Sequence, residues 1–292
     1  EIEAKKALIR LVKALRKYKL NINAKKTRIL ANNEIPKYLF DPKKNLLDVI
    51  QKLFDSRLKQ KIEAIVSILV NDIFLGSFSS DNQFDKRHIT YSIYRLSILK
   101  TLGIKFDQQK VIKAVLNNFV SKPQHSDIFC SFLALFRGNK KIENFILSFL
   151  KSKNNIYEWQ ELHVLRALLE LKTNLNAVQI KWFLNRMQDK NRHWAIRALY
   201  FLIVGKYGKS SDRNLIIDLF DSNDNNELKR CLILSVQKLG IPTRNDFYRG
   251  IKNTIYPHTF IDYVKQIKNE MYFRPYDKIT FDLLENLKKK IY

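Results

Sequence analysis

Four arginines recur at similar points in the helical segments of this chain: Arg95, Arg166, Arg197 and Arg230. A guanidinium presents its N–H donors in a planar fork that matches two oxygens of a phosphate. A row of such groups along one concave face would grip successive phosphates of a nucleic-acid backbone. The same row could instead tie neighbouring helix pairs together through carboxylates or carbonyls, and the residue types leave both readings open. The five histidines, His88, His125, His163, His193 and His258, pair with no other His or Cys at a metal-ligand spacing. A zinc site is therefore not expected. Trp159, Trp182 and Trp194 could stack bases, although at helical spacing such residues more often fill a core. No phosphate-cradling Gly-rich loop and no hydrolase triad is present.

These residues need helices to position them. The chain has 292 residues, 46% hydrophobic and 12% aromatic, with only 7 Gly and 6 Pro. That balance favours a helical fold with a sizeable core over a sandwich or barrel. Ala4, Leu8, Leu11 and Leu15 place one apolar stripe on a helix over residues 1–18. Leu20-Asn21-Ile22 then alternates as a short strand does, and Arg28-Ile29-Leu30 can return as a second. Residues 31–41 read as a connector. Asp41-Pro42 reads as a helix start, followed by apolar runs from Leu46 to Phe54 and from Ile62 to Val70. Residues 76–85 read as an exposed loop.

From there the pattern predicts helices over 86–102, 108–120, 124–137, 140–151, 157–172, 176–188, 192–206, 211–221, 226–239 and 243–253. Two more follow near 258–272 and 278–290. Asp107 is placed as an N-cap, and Gly103, Gly138 and Gly240 as helix ends. First helices of successive pairs begin near 86, 124, 157, 192 and 226. Helix pairs at that interval imply a right-handed stack without strands, each pair burying its face on the next.

The net charge is +25. Residues 1–30 hold ten Lys or Arg against two Glu, a net of +8. Such an excess points to a polyanionic partner, with nucleic acid the usual one. Cys130 and Cys231 lie in apolar helical runs and read as free buried thiols in a reducing cytoplasm. No apolar run is long enough to span a membrane, and no signal peptide is visible.

Leu20, Ile22, Asn23, Lys26 and Thr27 resemble a signature of bacterial reverse transcriptases, Leu-x-Leu-Asn-x-x-Lys-Thr, which follows the palm helix after the catalytic aspartates. Lys19 stands where the family often has Gly. The resemblance implies that residues 1–35 end a polymerase palm and that Lys26 protonates the departing pyrophosphate. Lys25 is adjacent and could take that role. Lys25 and Arg28 are placed as nucleic-acid contacts. The chain contains no paired-Asp sequence such as Tyr-x-Asp-Asp. The two Mg ions of such a polymerase would belong to an upstream palm portion, with no metal bound here, and these residues alone are expected to be inactive.

Glu227–Gly240, Trp194–Leu199 and Leu162–Leu169 resemble HEAT repeats. A palm end followed by such repeats resembles the abortive-infection and other phage-defence reverse transcriptases. The expected architecture is mainly α: a palm remnant over 1–35, a thumb-like helical connector over 36–85 and a HEAT-like repeat domain over 86–292. The resemblance implies a cytoplasmic RNA-directed DNA polymerase acting on deoxynucleotides. Its repeats would replace the thumb and hold single-stranded DNA or RNA, in a possible homo-oligomer. The alternative is a HEAT-like protein-interaction scaffold with no polymerase role. Arg186 and His193 also fit the Arg-x4–6-His spacing of HEPN ribonucleases, but they straddle a predicted helix boundary at Asp189-Lys190.

Overall fold

A computed structural model describes residues 2–18, 43–55, 60–78, 85–171 and 173–251, with isolated positions at 32, 35, 41 and 264. The chain divides into two units, Glu1–Ser56 with Asn82–Phe84, and Arg57–Asp81 with Asp85–Tyr292. The first holds α1, Ile2–Lys17, and α2, Lys44–Asp55. α1 forms where the apolar stripe places it, and Glu3 in its first turn pairs with Lys6 at 2.9 Å. Its apolar side remains largely open, with Ile9 55% and Leu11 50% exposed. At the start of α2 the Asp41 carboxylate accepts from the Lys43 amide at 2.9 Å, and Leu47 and Ile50 are buried. The two short strands expected at 20–22 and 28–30 lie outside the described residues, as does most of the 31–41 connector.

The second unit is helical throughout its described residues, without a strand. Its helices are α3 Gln60–Gly76, α4 Asp85–Leu102, α5 Gln108–Asn118, α6 Ser126–Ala134 and α7 Lys140–Lys151. α8 Glu158–Glu170, α9 Ala177–Met187, α10 Trp194–Tyr207, α11 Ser210–Asp218, α12 Asn226–Ser235 and α13 Ile241–Ile251 follow. Short polar side chains start α5, α7, α9 and α12, because an Asx oxygen accepts from amides that have no intrahelical partner. Asp107 accepts from Lys110 N at 3.1 Å and Asn139 from Lys141 N at 3.0 Å. Asn225 accepts from Leu228 N at 2.8 Å, and Asn176 forms a reciprocal capping box with Gln179.

The even-numbered helices α4, α6, α8, α10 and α12 form a row, each packed on the next. Cross-helix bonds show that α8 and α10 run parallel. Tyr200 and Tyr207 of α10 reach Glu161 and Leu168 of α8, a constant step of 39 residues along both helices. α10 is the most buried helix of the row, buried from Ala198 to Gly205. Gly205 lets α12 approach closely, since a Cβ there would lie 2.2 Å from the Ser235 carbonyl oxygen. The odd-numbered helices flank the row. α3, α7, α9 and α11 each pack on the even helix that follows, so the tightest hairpins join an odd helix to its successor.

Most predicted boundaries agree within three residues. Gly103 and Gly138 have φ of 77° and 78°, the left-handed conformation that a helix-ending glycine supplies. Gly240 differs. α12 ends at Ser235, and the Gly240 carbonyl instead accepts from Arg244 N at 3.0 Å, opening α13. The segment predicted as one helix over 124–137 begins as a 3-10 turn at Pro123–His125, because proline cannot continue an α-helical ladder. Of the loop expected at 76–85, Gly76 ends α3 and Ser77 is buried, donating to the Ile73 carbonyl at 2.6 Å, while residues 79–84 lie outside the described residues. The two helices expected beyond residue 257 lie outside the described residues, apart from a helical Val264.

Candidate nucleic-acid interface

The four arginines of the even helices do four different things. Arg197 in α10 is a clamp. Its Nε donates to the Met187 carbonyl at 3.1 Å and its Nη2 to Asn223 Oδ1 at 2.9 Å. It thereby joins the end of α9 to the loop before α12. Arg166 in α8 is half-buried beside Cys130 and His163, and burial lowers its pKa to about 10. Arg95 in α4 lies over the Tyr91 ring, 3.5 Å from the centroid. Arg230 in α12 forms an exposed pair with Glu227 of its own helix at 3.1 Å. Lys25, Lys26 and Arg28 lie outside the described residues.

Further polar groups hold the row together. Glu161 of α8 is fully buried and accepts from Tyr200 Oη of α10 and from Arg192 in the α9–α10 loop. Burial and then the Glu161 charge push the Tyr200 hydroxyl well above its ordinary pKa, so it stays a donor. Gln160 donates to the Phe119 carbonyl at 3.0 Å and to Ser126 Oγ at 2.9 Å, tying α8 to the start of α6. Lys206 donates to the Leu169 carbonyl, and Lys238 to the Lys206 carbonyl at 3.1 Å. Each lysine thus satisfies a carbonyl at the C-terminal end of the preceding even helix, where a cation suits the helix dipole. The sequence carries a sign of this device, Lys206-Tyr207-Gly208 and Lys238-Leu239-Gly240, which the helix-level reading missed.

The remaining candidates divide by burial. Trp159 and Trp194 are 43% and 37% exposed at the starts of the parallel helices α8 and α10. Tyr157 stacks near Trp159 at 5.6 Å. Trp182 instead packs edge-on against Phe183 and Tyr200. His193 caps α10, its Nδ1 accepting from Ala195 N at 3.3 Å, while Arg186 pairs with Asp189 at 3.7 Å. The two groups therefore serve the same loop from opposite sides. His125 is buried against Phe129, and burial lowers its pKa to about 4. Cys130 is buried and Cys231 partly so, and burial raises both thiols, Cys231 to about 11. Neither is a thiolate nucleophile. Among the described residues no group of three His, Cys, Asp or Glu is placed to hold a metal.

Charge is unevenly shared among the helices. From α6 to α12 the even helices carry five Lys or Arg and five Asp or Glu. The odd helices α5, α7 and α9 carry seven cations and one acid, Glu143, which is buried. α4 is also basic, with Lys86, Arg87, Arg95 and Lys100 against Asp85. The odd-helix lysines were missed because the sequence reading followed residues that recur between repeats, and these do not recur in register. Counting charge helix by helix would have found them.

No protein-family model, curated protein or solved structure matches the chain.

Proposed function

We propose that this chain is the palm-end and helical-repeat portion of a reverse-transcriptase-like polymerase of the phage-defence type, and that its repeats bind nucleic acid. The observation that carries this reading is the signature formed by Leu20, Ile22, Asn23, Lys26 and Thr27. The parallel row of even helices, linked at a regular offset, supports a HEAT-like stack after it. The excess of cations on α4, α5, α7 and α9 supports a polyanionic partner. Lys26 is the general-acid candidate, and Mg would be held by paired aspartates upstream of these residues. Arg95 and Arg230 remain nucleic-acid contacts in this reading. Arg166 and Arg197 act chiefly by holding the surface in shape.

The test is nucleotide incorporation by a longer protein that includes the upstream aspartates. Lys26→Ala should slow incorporation at saturating nucleotide by about 10²-fold, the effect of losing a general acid, without lowering the melting temperature. Unchanged incorporation would remove Lys26 from the mechanism. The second reading is a protein-interaction scaffold, favoured by the exposed edge of Ile156, Tyr157, Trp159 and Trp194. Tight binding of a protein partner by a chain that ignores nucleic acid would select it.

A further inference from the structure

One face of α5 exposes Gln109, Lys110, Lys113 and Asn117 above a partly buried Leu116 and a buried Ile112. Gln109, Lys110, Ile112, Lys113, Leu116 and Asn117 fall at three-to-four spacing along it. With Lys141 from the start of α7, they line an open cavity of about 440 Å³. The stripe runs about 12 Å, from the 1.5 Å rise of a helix. Ile112 and Leu116 supply apolar lining, Gln109 and Asn117 supply amides, and the three lysines supply charge. Among the described residues no carboxylate lies in ion-pair distance of Lys113 or Lys141. Lys110 pairs with Asp107 at 2.9 Å, an exposed pair within one turn that phosphate can displace at little loss.

We infer that this groove is a binding site for the sugar–phosphate backbone of single-stranded nucleic acid. The inference rests on the nucleic-acid reading of the chain and adds where the strand lies. Each part of the groove has a counterpart in a nucleotide. Ammonium groups meet phosphates, the apolar lining meets the sugar or the base face, and the amides both donate and accept at base edges. Beyond the groove, Lys151 of α7 lies 5.8 Å from the Trp182 ring of α9, while Lys140 pairs with Glu143 and Arg186 with Asp189. Three ammonium groups lining one groove match a chain of phosphates better than one small anion. An acidic peptide would satisfy the lysines but would leave the groove without flat groups for its apolar lining.

The experiment is a salt titration of labelled oligothymidylate binding by the whole 292-residue chain. It compares the unmodified chain with Lys110→Gln/Lys113→Gln/Lys141→Gln and with Arg95→Gln/Arg230→Gln. Each phosphate contact to a single strand contributes about 0.7 to the slope of log K against log salt. Loss of three contacts should make the slope shallower by about 2 and lower binding at about 50 mM salt by about two powers of ten or more. The lysines are exposed, so thermal melts of the triple variant should match the unmodified chain. If the unmodified chain binds and the lysine variant keeps its slope while the arginine variant loses its own, the groove assignment is overturned and the nucleic-acid reading stands. If the unmodified chain binds no oligothymidylate at low salt, both fail. Binding of poly-glutamate in place of oligothymidylate, abolished by the same lysine changes, would overturn the inference in favour of an acidic protein partner.

Discussion

The cations that tie the stack and the cations that line the α5 groove have the same formal charge and opposite employment. Arg197, Lys206 and Lys238 spend their donors on backbone carbonyls and Asn223, and Arg192 on Glu161. Lys113 and Lys141 point no such donors at the protein and line an open groove. The difference follows from packing. The inner even helices lie between two others of their kind, so a long basic side chain there meets carbonyls and buried carboxylates. Odd helices flank the row and leave one side to water. The lesson is that recurrence of a cation between repeats does not by itself mark a ligand contact.

The sharpest way to break the comparison is to attack the even row at its buried carboxylate. Glu161→Ala leaves Tyr200 Oη and the Arg192 guanidinium without their acceptor in a desolvated junction. Removing one member of a buried charge pair destabilises by about 3–5 kcal/mol, read as a lowered midpoint in chemical denaturation. An unchanged midpoint would show that this junction does not hold α8 to α10. A smaller contrast comes from two arginines of the same row. Arg197→Ala loses two bonds that join separate segments and should destabilise by about 1.5–3 kcal/mol. Arg230→Ala loses an exposed pair 47% and 53% open to solvent, and should change stability by about 0.5 kcal/mol or less. Equal effects would erase the distinction between clamp and surface pair.

A pH effect sharpens the same point on a buried neutral group. Burial, and then the Lys86 charge, lower His125 from 6.5 to about 4, with Lys122 adding to the lowering and Asp127 opposing it. The unfolded chain therefore takes up this proton first as pH falls. Stability from this group is complete above pH 6.5 and is lost progressively down to about pH 4. The loss should reach about 3 kcal/mol. His125→Gln should remove it, seen as a flatter stability profile between pH 6.5 and 4.5. A variant whose profile overlays that of the unmodified chain would exclude His125 as the cause.

Much of the fold was legible in the sequence for local reasons. Asp107 and Asn139 mark helix starts, Gly103 and Gly138 mark ends, and apolar spacing fills the interval between them. Gly240 misled because a glycine between two helices can end one or open the next, and the choice depends on where Ser235 packs against Gly205. The pairing of helices was less legible. Sequence order suggests each even helix with its successor, whereas α9 packs on α10 and α7 on α8. The site was least legible. Arg197 looked like a phosphate ligand by type and position, and only the Met187 carbonyl and Asn223 amide beside it reveal a tie. Lys113 and Lys141 lie on different helices and share a groove through tertiary structure alone.

The most direct test of the division of labour is a lysine acetylation footprint of the chain with and without oligothymidylate, read residue by residue by mass spectrometry. Lys110, Lys113 and Lys141 should acetylate readily in the free chain and become protected when the oligonucleotide is bound. Lys206, half-buried and committed to the Leu169 carbonyl, should react poorly in both states. Lys229 of α12 should react equally in both. Protection of Lys229 or Lys206 on binding, with Lys110, Lys113 and Lys141 unchanged, would contradict the account.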